Sequence, residues 1–145
     1  MSDSATAADA QVIMHLYELR REEKMRKARN WFMAYFKGVT TMDALQRLAP
    51  PGSDENAFYR MVVSYWDMAA GFANSGAVNK DLFFRSSNEM LFVWLRASDV
   101  IPQLRQARNN PLAYADLETC AMQMADWLDA RAPGAYDGFR KMVLS

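Results

Sequence analysis

The sequence predicts an all-α fold, a helical bundle of five to six helices with a long N-terminal helix and a central apolar helix. Three observations carry this. Bulky apolar residues recur at three-and-four spacing through most of the chain, the period of one helix face. Capping and helix-ending residues cut the chain into segments of helical length. No stretch alternates apolar and polar residues long enough to make a half-buried strand. With 145 residues, the chain is expected to form one domain, 1–145, able to fold without metal or disulfide.

Residues 1–6 are expected to be disordered. The first helix, 7–38, begins near Ala7 and runs to about Lys37, where Gly38 supplies a left-handed stop. Val12, Ile13, Leu16 and Leu19 form one apolar patch on it. Tyr17, Ala28, Trp31, Phe32 and Tyr35 form another, turned by about 120°. Between them Arg20–Lys27 is almost wholly polar, with Glu22–Arg26 and Glu23–Lys27 spaced as favourable i,i+4 pairs. Two patches differing in direction and height imply a rod that packs on two bodies, the second being another copy or the rest of the chain.

Thr40 or Thr41 caps a short second helix through Ala49, ended by Pro50-Pro51-Gly52. Ser53 caps the third, with Asp54 and Glu55 at the positive end of its dipole, and it stops at Gly76. Phe58, Met61, Val62, Tyr65, Ala69 and Phe72 give it a core stripe. Asn79 caps the fourth, reaching about Ala97; its apolar residues, Leu82 to Phe84 and Met90 to Leu95, surround most of its circumference, which places it centrally. Ser98 and Asp99 cap a fifth helix that tolerates Pro102 in its first turn and ends at Asn109-Asn110-Pro111. A sixth spans Leu112 to Arg131, with Leu117, Cys120, Ala121, Met124, Trp127 and Leu128 on one side. The tail, 135–145, is open: Phe139, Met142, Val143 and Leu144 suit either its own bundle or a partner.

Composition narrows the function classes. Seventeen basic residues balance seventeen acidic ones, whereas nucleic-acid binders carry a basic excess. The six basic residues between Arg20 and Arg29 scatter around the helix, so no nucleic-acid partner is expected. Zero net charge removes a brake on self-association. The lone Cys120 excludes an internal disulfide. The N-terminus lacks a signal-peptide pattern and the longest bulky apolar run, Met90 to Leu95, is too short to span a membrane. The expected location is cytoplasmic, with no membrane partner.

No residue arrangement reads as catalytic. His15 and Glu18 share a face, but one histidine cannot complete a di-iron set and no second soft ligand joins Cys120 for zinc, so neither a metal nor a cofactor is expected. Cys120 sits on an apolar stripe, where a thiol acts as a small hydrophobe. Asp67 shares a polar face with Arg60, Ser64 and Asn74, which suggests solvent. Arg85, Glu89 and Arg96 share one face of the fourth helix together with Phe92; if that face is covered, Glu89 between two arginines makes an anion or carboxylate site.

Several stretches resemble a bacterial family known as domain of unknown function 4760. They are Leu16-Tyr17-Glu18-Leu19-Arg20-Arg21-Glu22, Ala28-Arg29, Trp31-Phe32, Asn56-Ala57-Phe58-Tyr59-Arg60, Ser64-Tyr65-Trp66-Asp67 and Leu82-Phe83-Phe84. Met90-Leu91-Phe92-Val93-Trp94, Ile101-Pro102-Gln103-Leu104-Arg105 and Asn110-Pro111 complete the pattern, over about residues 12–120. The resemblance implies a helical fold and brings no activity, cofactor or site residue. Some relatives carry an N-terminal membrane anchor, which has no counterpart in these residues.

The functional expectation is a non-catalytic helical interaction module that self-associates through its first helix, as a dimer, or binds another protein. Its contact residues are Val12, Ile13, Leu16, Leu19 and Phe92. The alternative is a small-ligand or anion sensor with a polar site built from Arg85, Glu89, Arg96 and His15.

Overall fold

Residues 4–145 of the chain are described by a computed structural model. Among them lie nine helices and no strand: α1 (Ala7–Arg21), α2 (Glu23–Tyr35), α3 (Met42–Leu48), α4 (Asp54–Asn74), α5 (Lys80–Ser86), α6 (Glu89–Ala97), α7 (Ile101–Ala107), α8 (Ala115–Arg131) and α9 (Ala135–Leu144). The all-α class holds, and the count of five to six is too low for three reasons. Residues 1–3 of the expected disordered segment lie outside the described residues. Residues 4–6 lead into α1, and Thr6 closes a capping box with Asp9.

The expected long rod, 7–38, is two helices. The chain breaks at Glu22, whose backbone is extended at φ −59°, ψ 143°. Glu22 does not act as the i,i+4 partner of Arg26; its carboxylate turns back to accept from the N–H groups of Lys24 and Met25 at 3.1 and 2.9 Å. It thus ends one helix and caps the next. The two apolar patches then fold onto one body. Leu16 is buried, Val12 and Ile13 pack against the core, and Ala28 and Phe32 enter it. The split-rod argument for self-association fails on this geometry.

The fourth expected helix also divides. Ser87 is extended, and its hydroxyl accepts from the N–H of Glu89 while Ser86 donates to the carbonyl of Phe83. Short hydroxyl side chains compete with the helix ladder in this way. The central placement is right for α6, where Met90, Leu91, Val93, Trp94, Leu95 and Ala97 are all buried. The third addition is α9: Tyr136 and Phe139 pack on the core and Val143 is buried, so the tail closes its own bundle against α6 and α8.

Caps at Thr41, Ser53 and Asn79 form as expected. Ser98 does not cap α7; it donates to Leu95 O, and α7 starts from Val100 without a side-chain cap. Nor does α8 begin at Leu112; it starts at Ala115, after Tyr114 in the left-handed region at φ 58°.

α4 is the spine, lying against α2, α6 and α8. Trp66, Phe32, Phe36, Leu91 and Leu117 fill the space between them with almost no exposure. Phe32 stacks on Phe36 with ring centres 4.6 Å apart. α1 lies mainly against α2 and α5 rather than along α4. That divergence shapes the surface described next.

Candidate functional site

The expected polar site does not assemble, because its four members lie in different places. Glu89 is buried at the start of α6 and faces α2. Arg29 donates to it twice, from Nε at 2.9 Å and from a terminal nitrogen at 2.7 Å, and Trp66 Nε1 adds a third bond at 3.1 Å. Both carboxylate oxygens are engaged. The paired carboxylate raises the Arg29 pKa. A carboxylate so held has little left to offer a substrate proton or a ligand.

This ion pair belongs to a junction that locks the α1–α2 break. Arg29 also donates to the carbonyl of Arg20 at 3.2 Å, one of the acceptors released where α1 ends. Arg20 is buried with its guanidinium 5.0 Å from the Trp66 ring centre, and it donates to the Tyr65 hydroxyl. That hydroxyl donates in turn to Leu16 O at 2.6 Å. Burial pushes the Tyr65 phenol up. The sequence offered no sign that Arg20 and Arg29, nine residues apart, meet across a break.

Arg96 is buried elsewhere and donates to backbone carbonyls rather than to a carboxylate. Its Nε donates to Val143 O at 2.8 Å, and one terminal nitrogen donates to Phe36 O at 3.1 Å and to Met33 O at 3.3 Å. The guanidinium therefore closes the carbonyl ends of α2 and α9, where helix dipoles favour a cation. Phe92 lies beneath it, 4.5 Å from ring centre to guanidinium carbon, half-buried against the core. Arg85, expected to pair with Glu89, pairs with Asp81 at 2.8 Å in the preceding turn.

Asp67 is not a solvent residue. Its carboxylate accepts from Leu117 N–H at 3.0 Å and caps α8 from α4, supplying what Tyr114 cannot. Burial, then the neighbouring Asp116, pushes its carboxyl above the ordinary range, although the Leu117 bond opposes this. Cys120 is fully buried and burial pushes its thiol up to about 11, the reverse of an activated nucleophile. Among the described residues no three His, Cys, Asp or Glu side chains are grouped to hold a metal ion. No helix among them is long and apolar enough to cross a membrane.

One of the concavities open to solvent is an apolar groove between α1 and α4. Ala8, Val12, Leu16 and Leu19 line it from α1, at one-turn intervals; Met68 and Phe72 line it from α4. Gln11 and His15 stand at its α1 rim, and its volume is about 610 Å³. Leu19, Met68 and Phe72 remain 42%, 41% and 40% exposed, high for bulky apolar side chains gathered in one place. His15 is its one titratable side chain. Of the expected contact residues, Val12, Leu16 and Leu19 line this groove, Ile13 turns inward, and Phe92 belongs to the separate Arg96 cluster. Met68 and Phe72 went unread as surface residues, since their spacing on α4 matches the core stripe.

A family model described as a domain of unknown function, DUF4760, matches residues 5–124. That span includes the groove and the Arg29–Glu89 junction, ends within α8 and leaves out α9. No curated protein and no solved structure matches the chain.

Proposed function

The chain belongs to the DUF4760 domain family, and from that premise we propose that it is a non-catalytic helical interaction module that dimerises through the α1–α4 groove. One observation carries the reading: the groove gathers Leu19, Met68 and Phe72 in a part-exposed state, while Glu89, the centre of the expected polar site, is held by Arg29 and Trp66. Apolar patches rimmed by polar residues are association surfaces.

The partner is a second copy. A two-fold interface brings one patch against itself, so like charges at its centre would repel. This groove holds no Asp, Glu, Lys or Arg among its lining residues, and the chain's net charge is zero. The first helix still supplies most of the groove lining, Val12 and Leu19 included, rather than a second, independent patch.

Sedimentation at micromolar concentrations tests this. The parent chain is expected to be dimeric, and Phe72→Glu or Leu19→Glu monomeric with unchanged helix content. A parent chain that stays monomeric at every concentration overturns the reading, as does a dimer insensitive to both substitutions.

A further inference from the structure

We propose that α1 is exchangeable between copies: Glu22 joins the helix, residues 7–35 become one rod, and each α1 takes the seat of a second chain's α1. The inference shares the docking reading's choice of a second copy and rests on it to that extent, but it needs no groove.

The hinge is one residue. Rotating ψ of Glu22 from 143° to about −42° restores helical backbone. Nothing in Arg20–Lys27 resists this. It contains no Gly or Pro, and Arg, Glu, Lys and Met are all strong helix formers. A rod from Ala7 to Tyr35 would be roughly 43 Å long. It would pair the N–H groups of residues 22–25 with the carbonyls of residues 18–21. In the closed chain that ladder is replaced by substitutes. Glu22 N–H reaches Leu19 O at 3.4 Å, the Glu22 carboxylate serves Lys24 and Met25, and Arg29 serves Arg20 O.

Tertiary contacts, added to the local Glu22 cap, therefore maintain the break against the helix propensity of these residues. They are the burial of Leu16, the Arg20 guanidinium on Trp66, Tyr65 on Leu16 O, and the Asn79 N–H on Asp9 at 2.9 Å. An opened monomer loses all of them. Two opened chains recover each one from the other and keep the continuous helices as well, the condition under which short hinges promote domain exchange.

Two hinge variants, both built on Phe72→Glu to silence the groove, test the exchange by sedimentation after equilibration near the unfolding midpoint. Glu22→Ala removes the cap while keeping a helix former, and is expected to raise the dimerisation constant about tenfold or more, one cap being removed from each of two hinges. Glu23→Pro occupies the first position of α2, where proline is tolerated. It holds residue 22 extended and forbids the rod, so it is expected to stay monomeric. A higher dimer content in Glu22→Ala than in Glu23→Pro supports exchange. Equal behaviour of the two, monomeric or dimeric alike, overturns it. Failure of the docking reading shows separately, as an association that Phe72→Glu alone leaves unchanged.

Discussion

Asp67 lies on α4 and holds the start of α8, where Leu117 N–H donates to its carboxylate. Burial and Asp116 together raise its pKa above 3.8, so the folded chain binds this proton more tightly than the unfolded chain does. Ionisation consequently works against the fold, and stability drawn from this group declines as pH rises through the raised pKa. Asp67→Asn keeps an oxygen for Leu117 and cannot ionise. Its melting temperature is expected to equal or exceed the parent's at pH 7, with the advantage vanishing near pH 4. Asp67→Ala loses the cap and is expected to cost about 1 kcal/mol. Thermal melts of the three chains at the two pH values decide it. A second residue-scale expectation concerns Cys120, whose thiol, at about 11, is buried among apolar neighbours. It should resist thiol reagents in the native chain and react only as the bundle opens; rapid labelling of folded protein would show that α8 is loosely seated. Burial of Cys120 was legible from its place on an apolar stripe. The role of Asp67 was not, because its partner is a backbone group fifty residues away.

Helix ends were legible where the cap is local. Thr41, Ser53 and Asn79 each bond an N–H three residues ahead, so sequence alone places them. They were not legible where the closing group comes from another helix, as with Arg96 at the ends of α2 and α9. The break at Glu22 is the sharpest case: helix propensity favours a continuous helix, and the Glu22 cap together with Arg29, Tyr65 and Trp66 overrides it. Ser86-Ser87-Asn88 was a readable warning of the second break, since three short polar side chains interrupt an apolar run. At this scale Glu89 ties three helices together, through Arg29 of α2, Trp66 of α4 and its own α6. Glu89→Gln keeps the shape but removes the charge, leaving Arg29 part-buried beside the equally cationic Arg20. Charge-assisted bonds and partly exposed pairs together suggest a loss of about 2–3 kcal/mol, below the cost for a fully buried pair. Chemical denaturation with an unchanged m-value checks this. A loss under about 0.5 kcal/mol, the size of an ordinary surface change, would mean that apolar packing alone sets the α1–α2 angle.

For the whole molecule, the α class and the buried α6 followed from periodicity, whereas the groove did not. It exists because α1, deflected at Glu22, leaves Leu19 and Val12 facing Met68 and Phe72 across an open gap. No single helix wheel contains that information. If the groove is filled by a second copy, folding and association are linked, because partner binding stabilises only the folded chain. For a homodimer each protomer receives half the mass-action term. A hundredfold rise in concentration, within the dimeric range, then adds about 1.4 kcal/mol per protomer and raises the melting temperature by about 3–6 °C for a chain of this size. Phe72→Glu removes the linkage and should melt at one temperature throughout, while losing little intrinsic stability because that side chain is already part-exposed. Scanning calorimetry across that concentration range separates the cases. A parent whose midpoint does not move with concentration is a monomer in both states, and its groove then has no second copy to receive.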